Sequence, residues 1–98
     1  MKITGAVVVD FGGEDYEIEG SIDFAERPDY LRIESVRVLG EDRPVSPGER
    51  AALEQSEEYD EGLDALSEGL IALHEGIHRM REHSGIGVID IRLRTTTR

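Results

Sequence analysis

The chain has 98 residues, no cysteine and a net charge of −11, from 22 acids against 11 bases. That length makes a single domain over residues 1–98 with one modest core, and the missing cysteines exclude disulfides, thiolate metal sites and a cysteine nucleophile. The charge argues against direct nucleic-acid binding, since affinity for phosphates comes from lysine and arginine.

No apolar run nears the ~20 residues that span a bilayer, and the N-terminus lacks a basic-then-apolar signal, so the expectation is a cytoplasmic protein without a membrane segment. The charge is uneven. Residues 1–40 carry nine acids and four bases, 41–70 ten and two, and 71–98 three and five. Such a surface suits the basic site of a nucleic-acid-binding partner. It equally suits a chain kept soluble by charge in a salt-rich cytoplasm.

In chain order, residues 2–11 read as a strand with Ile3, Val7, Val9 and Phe11 on one face and Thr4, Ala6, Val8 and Asp10 on the other. Gly12-Gly13 supplies a turn. Tyr16 to Phe24 then alternates, with Tyr16, Ile18, Ile22 and Phe24 inward and Glu17, Glu19, Ser21 and Asp23 outward. This is a half-buried antiparallel strand in a hairpin with the first. Tyr30 to Leu39 is a third strand whose phase slips between Ile33 and Val36. One extra residue near Glu34-Ser35, a β-bulge, restores both pairs to one face.

Ser46-Pro47-Gly48-Glu49 is a helix start, with a capping serine, proline at the first helical position and glutamate closing a capping box. No proline follows before Ser84-Gly85. A single helix over 47–83 would be ~55 Å long, against a domain diameter of ~35 Å. The expectation is therefore a break around Ser56–Asp60; the alternative is a projecting helix that pairs with a second copy. Ile86 to Arg94 reads as a last strand. The fold class expected is α+β, a two-layer sandwich in the order β-β-β-α-β, with an antiparallel sheet of about four strands under one long or broken helix. The expected core is Val7, Val9, Ile18, Ile22, Ile33 and Val36 from the sheet, Leu66, Leu70, Leu73 and Ile77 from the helix, and Ile89 and Ile91 from the last strand.

Residues 61–81 repeat in sevens, each heptad opening on glutamate and glycine: Glu61-Gly62, Glu68-Gly69, Glu75-Gly76. The apolar series Leu63, Leu66, Leu70, Leu73, Ile77, Met80 steps by three and four, the seam of an amphipathic helix. Each glycine lowers helix stability by ~1 kcal/mol relative to alanine. A glycine column beside the seam lets another backbone approach closely. That backbone is either the protein's own sheet or a second helix. In the second case Gly62, Leu63, Leu66, Gly69, Leu70, Leu73, Gly76 and Ile77 form an interface between copies, and a homo-oligomer is expected.

Within this helix, His74-Glu75-Gly76-Ile77-His78 looks like the zincin metalloprotease signature. That resemblance implies His74 and His78 as zinc ligands and Glu75 as general base. Against it, Glu61 and Glu68 hold the place of Glu75 in the earlier heptads, and a leucine seam on the sheet leaves His78 facing solvent. A catalytic zinc also needs a third protein ligand. His83 is the remaining histidine, and nine residues turn an ideal helix by about 900°, opposite His74. The expectation is thus no cofactor, with a minimal zinc hydrolase as the alternative.

The run Pro28-Asp29-Tyr30-Leu31-Arg32-Ile33-Glu34-Ser35-Val36-Arg37-Val38-Leu39-Gly40, leading into Ser46-Pro47-Gly48-Glu49 and a helix, is similar to small acidic accessory proteins of phages and prophages. The similarity spans about half the chain. It implies a non-enzymatic inhibitor of the anti-defence kind, with no defined activity. Together these readings point to an acidic interaction module. Its partner would be a basic nucleic-acid-handling protein, met by Glu17, Glu19, Asp23, Glu54, Glu57, Glu58, Asp60 and Glu61 standing in for phosphates. A structural or assembly protein held by the helix is a further alternative.

Overall fold

The structure, a computed structural model, describes residues 2–80 and 88–95, with 77–80 and 88–95 described through the backbone alone. It is an α+β fold with helices on one face of a sheet.

Strands β1 (Lys2–Phe11) and β2 (Glu14–Asp23) form the expected hairpin, joined by Gly12 at φ 61° and Gly13 at φ 82°. A two-residue loop with both residues at positive φ matches the twist of the strands it joins, and glycine enters that region without a Cβ clash. The register sets Val7 against Ile18 and Val9 against Tyr16, so their side chains share the helix-facing side. Strand β3 (Arg32–Val38) pairs antiparallel with β2. Glu19 pairs with Ser35 and Gly20 with Ile33, which leaves Glu34 as the extra residue of the bulge. The phase slip of the sequence is therefore a real irregularity of the ladder.

The sheet has the order β4-β3-β2-β1-β5, counting the two-residue strand β4 (Arg43–Pro44) and β5 (Val88–Thr95). Strand β5 pairs with β1 in parallel, Lys2 opposite Val88 and Val9 opposite Thr95, so the sheet is mixed at that edge where antiparallel pairing was expected. Strand β4 was not expected as an element.

Helix α1 (Pro47–Glu54) opens as the sequence indicates: Ser46 Oγ accepts the Glu49 N–H at 3.2 Å, and Glu49 Oε1 accepts the Ser46 N–H at 2.8 Å. The break comes at Gln55-Ser56, at the near edge of the expected window. Ser56 makes it: its hydroxyl donates to the Leu53 carbonyl at 2.6 Å and accepts the Tyr59 N–H at 3.1 Å. One side chain thus closes α1 and caps α2 (Glu57–Met80). At 24 residues, α2 is ~36 Å long and fits the molecule's 45 Å long axis.

Arg43 ties β4 to α1. Its guanidinium donates to both carboxylate oxygens of Glu49 at 2.7 and 2.8 Å, and to Glu41 at 2.9 Å. The two Arg43 bonds to Glu49, with the Ser46 N–H, pull the Glu49 carboxyl down to about 2. The folded state therefore favours charged Glu49. Its contribution is fully present above the ordinary carboxylate range and is lost as pH falls from there towards about 2. Thermal unfolding of the wild type beside Glu49→Gln checks this: the wild type's higher Tm holds constant above pH ~5.5 and vanishes near pH ~2. A Tm gap unchanged by acid would remove the fork as its cause.

The core lies between the sheet and α2. Ile3, Val7, Val9, Ile18, Ile22 and Val38 are at most 2% exposed, and Val36, Tyr16, Leu53, Tyr59, Leu66 and Leu70 join them. Of the expected core, Ile33 and Leu73 are half-buried against this cluster. Ile77, Ile89 and Ile91 have side chains outside the described residues. Ala6, expected outward, is buried on the opposite face of the sheet.

Candidate functional site

The solvent face of α2 carries the most coherent chemistry among the described residues. The chain has no lysine or arginine between Arg50 and Arg79, but eight acids: Glu54, Glu57, Glu58, Asp60, Glu61, Asp64, Glu68 and Glu75. At 3.6 residues per turn, Glu57, Glu61, Asp64, Glu68 and Glu75 fall within about 60° of arc. All five are exposed. Tyr59, Gly62, Leu66, Leu70 and Leu73 lie about 180° away and face the sheet. The row runs ~27 Å with a carboxylate roughly every turn, interrupted by Ile71, which is 39% exposed. The heptad that seats the seam on the sheet therefore also sets the acids in line.

This arrangement carries an energetic cost. Glu57–Glu61, Asp60–Asp64 and Asp64–Glu68 are like-charged pairs four apart, each unfavourable by ~0.2–0.5 kcal/mol in an isolated helix. Glu57, Glu58 and Asp60 recover part of that at the first turn, where the helix dipole favours negative charge. Further along α2 the dipole gives no such return.

The acids expected as one surface are divided by the fold. Glu54, Glu57, Glu58, Asp60 and Glu61 gather at the α1–α2 junction, where Glu54 is ion-paired with Arg50 at 2.9 Å. Glu17, Glu19 and Asp23 lie on the far side of the sheet, half-buried, facing away from the helices. There Arg37 stands opposite Glu17 and Arg32 opposite Ser21. Asp23 Oδ1 binds its own loop, accepting the Ala25 and Glu26 N–H groups at 3.0 and 3.3 Å. Asp64, Glu68 and Glu75 belong with the helix set and were not expected there. The signal for Glu68 and Glu75 is the recurrence of glutamate at 61, 68 and 75, and Asp64 joins them by standing three residues after Glu61 and four before Glu68.

Of the two backbones that the glycine column admits, the chain's own sheet is the one that meets the seam at Gly62, Leu66 and Leu70. Leu66 and Leu70 are fully buried, and Gly62 is buried so closely that a Cβ there would stand 2.5 Å from Val9 Cγ2. These three are not available to a second helix in this fold. Leu63, Gly69, Leu73 and Gly76 are half-buried, and the side chain of Ile77 lies outside the described residues.

His74 stacks on Phe24, ring centroids 3.8 Å apart and planes parallel within 1°, so its ring is held flat against the end of the hairpin. Glu75 is exposed on the acidic row. The side chain of His78 and all of His83 lie outside the described residues. Among the described residues no three histidine or carboxylate side chains gather to hold a metal, and no helix is long and apolar enough to cross a membrane.

No protein family, curated protein or solved structure matches the chain.

Proposed function

We propose that the protein is a non-enzymatic interaction module that presents the exposed acidic row of α2 to a basic protein surface, of the kind that otherwise holds nucleic-acid phosphates. The observation that carries this reading is the alignment of Glu57, Glu61, Asp64, Glu68 and Glu75 on the exposed face of a helix whose other face is packed on the sheet. A helix packed on a sheet holds its charges at fixed spacing, so little side-chain and backbone order remains to be imposed on binding. Docking a lysine- and arginine-rich surface also relieves the repulsion between the acids, which gives the free protein a reason to bind. Ile71, exposed within the row, adds an apolar contact that an array of phosphates lacks. One copy suffices for this role. An anti-defence inhibitor that occupies a DNA-binding enzyme is the biological form the reading takes.

The test uses an arginine-rich helical peptide as probe, titrated calorimetrically at several salt concentrations. Glu61→Gln/Asp64→Asn/Glu68→Gln is compared with a loop variant, Glu14→Gln/Glu26→Gln/Asp29→Asn, which removes as many charges from the start of β2 and the loop after it. The row variant should bind about tenfold more weakly at low salt and with a shallower salt dependence, whereas the loop variant changes by less than about twofold. Equal weakening in both variants, or binding indifferent to salt, would refute the proposal.

A further inference from the structure

On the sheet face opposite the helices, the loop after β2 folds over one corner and leaves a hollow of about 200 Å³. Lys2, Ser21, Asp23, Arg27, Tyr30 and Arg32 line it, together with Glu26. Three of the chain's eleven bases thus converge from β1, the loop and β3 in a protein that is otherwise strongly acidic.

The donors outnumber the acceptors. Lys2 Nζ and Arg32 Nε lie 3.6 and 3.9 Å from a single oxygen, Glu34 Oε2, which already accepts the buried Ser21 hydroxyl at 2.7 Å. Their side chains remain 49% and 72% exposed, so these long contacts leave most of their N–H groups directed elsewhere. The Ser21 hydroxyl, followed by burial acting against it and then by Lys2 and Arg32, sets the balance that lowers the Glu34 carboxyl below its ordinary range. Glu34 is therefore a charged anchor that holds the two cations near each other. Arg27 is positioned separately, its guanidinium carbon 4.4 Å from the centroid of the Tyr30 ring. Stacking fixes the plane of a guanidinium while leaving its N–H edge available. Asp23 Oδ1 accepts two backbone N–H groups, which turns that oxygen towards the loop while its negative charge stays in the lining.

We propose that this hollow binds a phosphomonoester group. Lys2, Arg27 and Arg32 act as its cationic ligands, and Tyr30 flanks whatever carries the phosphate. Three oxygens and nearly two negative charges answer three cations arriving from three directions better than a single carboxylate does. The volume is below the ~300 Å³ at which pockets for whole drug-sized ligands begin, so it takes a phosphoryl group with a short stem. The Asp23 and Glu26 carboxylates in the lining oppose the anion and limit its affinity. This site is independent of the acidic helix row and lies across the sheet from it.

The full chain is titrated with inorganic phosphate while its amide resonances are followed by NMR, with chloride at matched ionic strength as control. Saturable shifts are expected at Lys2 and in residues 21–32 with phosphate and not with chloride. Arg27→Gln and Arg32→Gln should each weaken binding about tenfold, and Glu26→Gln should tighten it about threefold, with resonances elsewhere unmoved. Ribose 5-phosphate separates the two sources of the group. Tighter binding than phosphate, abolished by Tyr30→Ala, assigns a sugar-phosphate ligand, and equal affinity assigns free phosphate. Shifts that match those from chloride, or that ignore both arginines and Glu26, would overturn the site.

Discussion

Leu66→Ala should lower the unfolding free energy by about 2–5 kcal/mol, read as a fall in urea midpoint with unchanged slope. Leu66 is fully buried at the centre of the contact between α2 and the sheet. Its Cδ2 reaches over Gly20, where even an added Cβ would stand only 3.2 Å away. The neighbours cannot collapse into the vacated space, because β1 and β2 are fixed by their ladder and Val7, Ile18 and Leu70 already fill the flanks. The loss therefore sits in the upper part of the range for a leucine truncation. A domain of this size has ~5–15 kcal/mol in total, so the variant is expected to be partly unfolded at 37 °C. Leu66→Met conserves volume and should cost less than ~1.5 kcal/mol. A loss below ~1 kcal/mol for the alanine variant would mean that α2 is not seated on the sheet as described.

Two alanines placed in equivalent heptad positions should move stability in opposite directions. At Gly62 a Cβ would stand 2.5 Å from Val9 Cγ2, 3.7 Å from Val7 Cγ1 and 3.9 Å from Ile18 Cδ1. Val9 cannot swing aside, since a β-branched side chain in a strand has restricted χ1 freedom and this one is fully buried. The helix must lift instead. Overpacking of this kind costs ~1–3 kcal/mol, more than the ~1 kcal/mol that alanine gains in helix propensity. Gly62→Ala should then lower Tm by several degrees, at roughly 4 °C per kcal/mol for a chain of this length. At Gly76 no atom of the described residues stands within 4 Å of the added methyl. Gly76→Ala keeps the propensity gain and should raise Tm by up to ~4 °C. Calorimetric scans of the two variants check both signs, and a shared sign would show that the repeat, rather than the local packing, governs the glycines.

Local chemistry carried most of the fold into the sequence. The hairpin was legible because Gly12-Gly13 sits between two alternating runs. The bulge was legible because a period of two cannot pass through Ile33 and Val36 without an extra residue. The helix start was legible because serine, proline and glutamate stand at capping-box spacing. The need for a break was legible from helix length against domain diameter, whereas its cause is Ser56, a capping serine followed by two glutamates. The direction of β5 was not legible, since alternation in Val88–Thr95 is the same for parallel and antiparallel pairing. Register with β1 depends on which sheet edge the chain reaches after α2.

The candidate surfaces divide along the same line. The acidic row of α2 is a matter of helical period, and Glu61, Glu68 and Glu75 already marked it. Its separation from Glu17, Glu19 and Asp23 needed the knowledge that the sheet lies between them. The hollow at Lys2, Arg27 and Arg32 had no sequence signature at all, because its members come from three segments and meet only through the pairing of β1 with β2 and β2 with β3.

The pairing of β1 with β5 also sets the order in which the molecule can be completed during synthesis. Strand β1 lies in the interior of the sheet, and one of its two neighbours, at residues 88–95, is made last of the five strands. Until those residues leave the ribosome, the hairpin and β3 can assemble, but Val7, Val8 and Val9 border an open backbone edge. Pairing across nearly the whole chain raises contact order and slows the final step. A nascent or truncated product ending before residue 88 would carry that edge exposed, a template for strand exchange with its neighbours. The high charge of residues 41–70, made before β5, keeps such chains apart by repulsion while the edge waits for its partner.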